Sequence, residues 1–579
     1  MRWQRFPPLL EMARANTALR QESKFQSLLL HGIRRFVATM EQSEPPPAKV
    51  IAQEIPDPSA NWRVWATIRR RSTLLILIIS LLVLAGFYYR NAPTRLAHYT
   101  DPLIYLSGAQ SIAEGNGYRF AAHAGTPKIG CQPPLQSTYL SLFWRLYPRF
   151  PENISLLYGA MVLCAFGTFI LFYRYCLKSG VPPIIAGLLI IAWGLSMPWG
   201  VLIYSFMSDI LFGFFCIVLA SYWRDADDID SWRRWFVSGV IVTLMYLTRT
   251  AALAVLLMLG LVVAWRAIKW RKIKPLIAYL TPLIPALVLW KIWGAEAPRY
   301  SDYMRFRFEQ EGGWSQLIRC WMDSAQQYLL GLDFGQALFP SLMELPSRQF
   351  LTTTVWSPIL TALIVILCWS FTFFWVTGCW RSGTAKERIF GLVVAAYLGQ
   401  LCLYPAHMAE RVLYAVLPFV LVWAWKGTSV LPRRFIASKA LQWGTVAFLI
   451  VNIIGNAGPF TRMMNYLDSC SRPEELKEVA EWLRSNSLPD AVVAATLSEP
   501  IMHFYNYSGR RVVENNLHSR PELKFSVANH SINGSRKADY VLLCWYSPLK
   551  IEDCNVSRLH LAKSSSRGTY RLYRLEPGP

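Results

Sequence analysis

The amino-acid sequence predicts a polytopic α-helical membrane protein with about 11 transmembrane helices and a small C-terminal α/β extracytoplasmic domain. Three observations support this prediction. Of the 579 residues, 53% are hydrophobic and only 16% are charged. The apolar residues come in blocks of about 20, which is the length of a helix that crosses a bilayer. Short basic segments separate alternate blocks, as expected of cytoplasmic loops.

The basic loops orient the predicted spans. The cluster RAIKWRKIK (266–274) and the Arg69–Arg71 run before the first span mark the cytoplasmic side. These loops account for most of the formal net charge of +23, so no nucleic-acid partner is expected. We expect the protein to lie in the bacterial inner (plasma) membrane, with the segment after the last span on the outer side. The predicted spans are 73–89, 154–173, 183–204, 208–222, 235–248, 250–265, 276–293, 356–377, 389–405, 411–425 and 441–457.

This topology divides the chain into three regions. Residues 1–72 form a cytoplasmic N-terminal arm with a Pro-rich linker. Residues 73–457 form the multi-spanning region, which has two large outer loops, 90–153 and 295–355. Residues 458–579 are expected to form the α/β domain, because PEELKEVAEWLRSN has the spacing of an amphipathic helix and AVVAATL, RRVVE, ADYVLLCWY and TYRLYRL have the pattern of strands.

Ionisable and aromatic residues gather at the outer ends of the predicted spans. Charges at one depth of a membrane protein indicate a polar functional site. The candidates are Asp101 and Tyr105 after the first span, Lys128 before a Pro-Pro pair, Arg249 in YLTRTAAL, and Glu410 and Arg411 in HMAERVLYAVLPF. Asp209, in SFMSDILF, is a further ionisable group at an outer helix end. Eleven cysteines and eight histidines show no metal-ligand spacing, so no metal site is predicted.

Four motifs in this order resemble the C-type (GT-C) glycosyltransferases, which are multi-spanning enzymes that use lipid-phosphate sugars. The motifs are TDPLIYLSGAQSIAEGNGY, QPPLQSTYLSLF, YLTRTAAL and ERVLYAVLPF. Within that superfamily the chain is similar to bacterial relatives of protein O-mannosyltransferases and of the lipid A aminoarabinose transferase. The resemblance covers about residues 73–457.

The resemblance implies a function and a role for each candidate residue. A sugar would move from a polyprenyl-phosphate donor to an envelope acceptor (lipid, glycan or protein) on the outer face, with inversion. Asp101 matches the general base of the first outer loop. Arg249, Arg411 and Lys128 are available for the donor phosphate, with Tyr105 and Glu410 beside them. No cofactor is required, although a divalent cation is compatible with this chemistry.

Two positions differ from the pattern of these relatives. Asp101 is followed by Pro102 where the mannosyl and aminoarabinosyl branches have Glu, and Gln132 occupies the position of a Lys in the aminoarabinose branch. The sequence WRDADDIDSW contains Asp225-x-Asp227, which resembles the metal pair of nucleotide-sugar glycosyltransferases. Because it lies in a short predicted cytoplasmic loop, we interpret it as a solvated acidic loop.

Structural explanations remain open for every candidate residue. Asp101 before Pro102 is also a common helix start. Tyr105 is equally explained as an interfacial aromatic residue, Arg249 as a cation that snorkels to the headgroups, and Lys128 as a loop lysine. Glu410 and Arg411 are also explained as an ion pair that caps a span. Three other functions stay open for the whole chain: a transporter or flippase for lipid-linked glycans, a glycan polymerase or ligase, and a receptor.

Overall fold

The computed structural model describes residues 59–93, 96, 100–123, 125–130, 132–224, 231–294, 314–329, 356–381, 385–403, 413–430, 439–470, 473–495, 498–514, 539–544, 559–567 and 570–575. Helices occupy most of each predicted span. The helices are α1 (Ser59–Arg90), α2 (Thr100–Ala113), α3 (Leu135–Leu146), α4 (Ile154–Lys178), α5 (Pro183–Gly194), α6 (Met197–Tyr204), α7 (Ser208–Arg224), α8 (Trp232–Thr248), α9 (Leu253–Trp270), α10 (Lys274–Trp293), α11 (Trp314–Leu329), α12 (Trp356–Arg381), α13 (Ala385–Cys402), α14 (Leu417–Gly427), α15 (Lys439–Cys470), α16 (Pro473–Asn486) and α17 (Ser498–Ser508).

The apolar helices make the chain an integral membrane protein. Within the described residues, five helices are long and apolar enough to cross a bilayer, and the number is six if the bent pair α5–α6 is one span. The five are Arg71–Arg90, Ile154–Lys178, Thr250–Trp270, Lys274–Trp293 and Gln442–Tyr466. The total of about 11 spans stays a prediction.

The predicted span 183–204 is a broken helix, with α5 and α6 bent by 60°. The break frees the carbonyl of Gly194, which accepts a 2.8 Å hydrogen bond from the Tyr88 hydroxyl. The Ser196 hydroxyl donates to the carbonyl of Trp193 at 2.7 Å. Backbone groups freed at membrane depth must be satisfied by protein or trapped water. Pro198, in the first turn of α6, is the sequence signal for this break.

The first loop and the C-terminal segment lie on the same face of the protein. Helices α2 and α3 connect α1 to α4, so they lie where α1 ends. Gln110 of α2 exchanges hydrogen bonds with Asn506 of α17. The number of crossings between these two segments stays a prediction. Helices α4, α7 and α9 carry Lys178, Arg224 and Lys269 in their last turns, at the opposite end.

The C-terminal segment folds around a five-stranded mixed sheet with the order β2-β1-β3-β5-β4. The strands are β1 (Val492–Ala495), β2 (Arg511–Glu514), β3 (Tyr540–Cys544), β4 (Leu559–Ser564) and β5 (Tyr570–Leu575). β1 is parallel to β2 and β3, and β5 is antiparallel to β3 and β4. Helix α16 packs on the sheet through four residues that lie on one face of the helix. They are all buried: Leu476, Val479, Ala480 and Leu483. Its status as a separate domain stays a prediction.

Candidate functional site

Asp101 lies in the first turn of α2 and is partly exposed. A carboxylate in a first turn is stabilised by the helix dipole. Most of the rest of α2 is buried, and Gly108 allows α3 to approach closely, because a Cβ at this position would lie 2.8 Å from the Ser137 hydroxyl. The helix therefore presents Asp101 at the edge of a packed unit.

Tyr105, one turn after Asp101, connects α2 to the start of α7. Its side chain is 2% exposed, and its hydroxyl lies 2.8 Å from the Ser208 hydroxyl. A buried tyrosine with this contact differs from a residue of an interfacial aromatic belt, which would face the headgroups. The Tyr105–Ser208 bond fixes α2 against α7, in which Asp209 directly follows Ser208.

Asp209 and Arg249 form a buried ion pair. Asp209 lies in the first turn of α7, and Arg249 follows the last residue of α8 in an extended conformation. Both positions complement the helix dipoles, which favour an anion at the N-terminal end and a cation at the C-terminal end. The Arg249 side chain is 14% exposed and that of Asp209 is 6% exposed. Arg249 therefore binds a carboxylate inside the protein and does not extend along the surface as a snorkelling side chain.

Gln136 holds α3 to the turn that precedes α7. Its amide nitrogen donates to the Phe206 carbonyl at 3.0 Å and contacts Met161 Sδ at 3.2 Å. Phe206 has a left-handed backbone with φ of 52°, a conformation that a bulky residue adopts only when its surroundings enforce it. Gln136 thereby stabilises the turn that positions Ser208 and Asp209. Its place in QPPLQSTYLSLF was the available signal, but sequence reasoning assigned it no role.

The Lys128 ammonium is 5.2 Å from the ring centroid of Trp293 at the end of α10. The hairpin that carries it is closed by a bridge to Arg119, and the Tyr118 hydroxyl donates to the Gln132 carbonyl at 3.1 Å. The structure thus places Lys128 in a cation–π contact with α10.

The remaining sequence candidates lie outside the described residues. These are Glu410 and Arg411, and the acidic pair Asp225 and Asp227. Across the described ranges, no group of three or more His, Cys, Asp and Glu side chains is arranged to hold a metal ion.

The structure therefore gathers four polar side chains from three segments that are far apart in sequence: Tyr105, Ser208 with Asp209, and Arg249. Tyr105 extends this group to the helix of Asp101. A carboxylate can accept a proton, and a guanidinium can stabilise an anion. Sequence reasoning found Asp209 as an isolated charge but did not predict its pairing with Arg249.

Comparison with known proteins identifies the fold. No protein-family model matches the sequence, and no curated protein matches it. Among solved structures, ArnT from Cupriavidus metallidurans bound to undecaprenyl phosphate is similar to 89% of this chain and 99% of its own, with a TM-score of 0.51 and 11% identity. The apo form of the same protein gives a TM-score of 0.51 and 12% identity, over 90% of this chain and 100% of ArnT.

A weaker likeness, with a TM-score of 0.45 and 12% identity, relates 82% of the chain to 69% of the archaeal oligosaccharyltransferase AglB from Archaeoglobus fulgidus. The similarity to ArnT covers nearly the whole of both chains. The chain therefore has the fold of ArnT.

Proposed function

We propose that this protein is an inverting membrane glycosyltransferase that transfers a sugar from a polyprenyl-phosphate donor to a cell-envelope acceptor. The observation that carries the proposal is the linkage of Asp101 to the buried Asp209–Arg249 pair, through Tyr105 and Ser208, at one end of the helix bundle. The ArnT fold, which in one crystal structure holds undecaprenyl phosphate, supports a lipid-linked donor.

In the proposed reaction, Asp101 accepts the proton of the acceptor hydroxyl. The acceptor oxygen forms a bond to the anomeric carbon while the bond from that carbon to the phosphate oxygen breaks. The polyprenyl phosphate leaves with the electron pair. A positioned cation stabilises the developing charge. The proposed donor site consists of Arg249, Arg411, Lys128, Tyr105 and Glu410, with Arg249 in the group of contacts that joins α2 to α7.

The location of the site is part of the same proposal. The short basic loops place the opposite helix ends in the cytoplasm, so the site and the C-terminal sheet face the outside of the bacterial inner membrane. A donor anchored in the bilayer presents its sugar at the depth where α1 ends and α2 begins. Acceptors would then approach from outside.

A transporter is the alternative that one observation favours, because broken membrane helices are common in transporters. In this chain, however, the carbonyl freed at the α5–α6 break is bonded to Tyr88, and the rings of Trp193 and Trp199 pack 4.7 Å apart beside it. Such closed packing supports a structural role for the break. Transfer of a sugar is therefore the proposed function.

The decisive experiment is transfer from labelled undecaprenyl-phosphate sugars to host envelope fractions by the purified protein in nanodiscs. Asp101→Asn preserves the side-chain size but removes the base, so we expect transfer to fall about 100-fold or more at normal protein levels. The matched control is Asp323→Asn, which alters an exposed acid of α11 and should leave transfer unchanged. Full activity of Asp101→Asn would exclude Asp101 as the base.

A further inference from the structure

The C-terminal segment contacts the helix of Asp101 through a pair of amide side chains. The Gln110 amide nitrogen donates to Asn506 Oδ1 at 3.2 Å, and the Asn506 amide nitrogen donates to Gln110 Oε1 at 3.4 Å. Gln110 also donates to Glu114 Oε1 at 2.8 Å and is only 5% exposed. Two side chains that are 396 residues apart thus recognise each other with both of their polar groups.

A ring contact joins the same two parts of the chain. The His503 ring of α17 is 3% exposed and lies 5.0 Å from the ring of Phe150, which follows α3. Phe150 is stacked on Trp144 of α3, with 5.6 Å between the ring centroids. Helix α17 therefore touches both α2 and the end of α3, and the amide pair lies in a packed interface.

The raised pKa values of two tyrosines of α17 agree with this packing. Burial and the carboxylate of Glu114, at the end of α2, raise the pKa of Tyr505. Burial raises the pKa of Tyr507 to about 12, with contributions from Glu152, Glu474 and Glu481. Both hydroxyls stay neutral at physiological pH, as partners in a buried contact should.

The geometry of α2 makes this contact important for Asp101. The helix has 14 residues, and Gln110 lies nine residues beyond Asp101, about 13 Å along the axis. Beyond the helix the chain turns at Gly115 and Gly117, both of which have positive φ. A short helix is a rigid body, so a contact that fixes its C-terminal end also fixes the direction of its first turn.

We propose that the C-terminal segment is a positioning clamp on α2, with Gln110 and Asn506 as positioning residues that hold Asp101 in its orientation at the start of this helix. This inference rests on the proposed function, because the orientation of Asp101 matters only if Asp101 acts as the base. It assigns to the C-terminal segment a role in the rate of the chemical step, in addition to any contact with acceptors.

The kinetic test uses Gln110→Ala, Asn506→Ala, the double variant, and the exchanged pair Gln110→Asn with Asn506→Gln. A neutral hydrogen bond contributes about 1 kcal/mol, so each single variant should lower kcat about fivefold and leave the KM for undecaprenyl-phosphate sugar unchanged. The double variant should be no slower than either single variant, and the exchanged pair should recover most of the rate. The control is Asn486→Ala, whose amide bonds only the carbonyl of Trp482 in its own helix.

The clamp would be overturned if the fold-loss of kcat in the double variant equalled the product of the two single fold-losses. It would also be overturned if the Asn486→Ala control lost as much kcat as the single variants.

The interface has its own test, independent of activity. The variant with Gln110→Cys and Asn506→Cys, treated with a short bifunctional methanethiosulfonate, should give a cross-linked peptide that neither single substitution gives. A missing cross-link would overturn the clamp alone. If the cross-link forms but the wild-type protein shows no transfer, the proposed function is overturned, and the positioning role with it.

Discussion

Removal of one partner of the Asp209–Arg249 pair should destabilise the protein strongly. The side chains are 6% and 14% exposed, so solvent screens their interaction only weakly. A buried ion pair that loses one partner leaves an uncompensated charge, at a cost of about 3–5 kcal/mol. We therefore expect Asp209→Asn and Arg249→Met each to lower the free energy of unfolding by about that amount.

Removal of both charges should be much less damaging. Replacement of a buried pair by apolar residues of similar volume is often close to neutral, because the desolvation cost disappears together with the attraction. Asp209→Leu combined with Arg249→Met should thus be more stable than either single charge removal. This double variant should nevertheless lose transfer, because the proposed phosphate-binding cation is gone.

Exchange of the two charges provides a stricter test. Asp209→Arg with Arg249→Asp restores an ion pair but puts a cation in the first turn of α7 and an anion after α8. Each dipole interaction is worth about 0.3–1 kcal/mol, and the exchange turns two favourable interactions into two unfavourable ones, so the exchanged pair should be about 1–4 kcal/mol less stable than the wild type.

These free energies can be measured by unfolding in SDS of the purified protein reconstituted in mixed micelles, with melting in nanodiscs as a second measurement. The reasoning predicts a large coupling energy between the two positions. Single substitutions that cost less than about 1 kcal/mol, or costs that simply add in the double variant, would show that the pair does not hold the two helix ends together.

Three further predictions concern other parts of the chain. The bond from Lys563 lowers the pKa of Glu478 below 4.5, so the stabilising contribution of this carboxylate is present above that pH and is lost as the pH falls through the lowered pKa. Glu478→Gln should therefore be less stable than the wild type at pH 7, and the difference in melting temperature should disappear in acid. A Cβ on Gly378 would overlap the backbone of α14, so Gly378→Ala should lower the melting temperature while Gly399→Ala, which meets nothing within 4 Å, should not. A reporter that is active only in the cytoplasm, fused after Pro579, should be silent; strong activity there would mean that the predicted number of crossings has the wrong parity.

The fold class and the positions of the helices could be predicted from sequence because they depend on local properties. The length of an apolar block and the charge of the loop that follows it are sufficient to locate a membrane helix. The buried face of α16 follows from the spacing of Leu476, Val479, Ala480 and Leu483 in the same way. The break between α5 and α6 was missed because the apolar composition continues across it.

The candidate site was only partly predictable. The sequence places Asp101, Tyr105 and Arg249 at helix ends on one predicted face, which indicates a polar site but gives no pairs. It offered a surface explanation for Tyr105 and for Arg249, and the structure replaces both with buried contacts. The pairing of Arg249 with Asp209 depends on how α7 and α8 are placed side by side.

The sequence by itself determined that this chain is a helical membrane protein and where most of its helices lie. Transfer of apolar side chains into lipid and retention of cations in the cytoplasm act on each segment almost independently, so composition and order are enough. Only the tertiary structure decided that Tyr105 meets Ser208, that Asp209 meets Arg249, and that Gln110 meets Asn506. Each of these contacts needs hydrogen-bonding atoms about 3 Å apart, and such distances are set by the packing and rotation of helices that are remote in sequence.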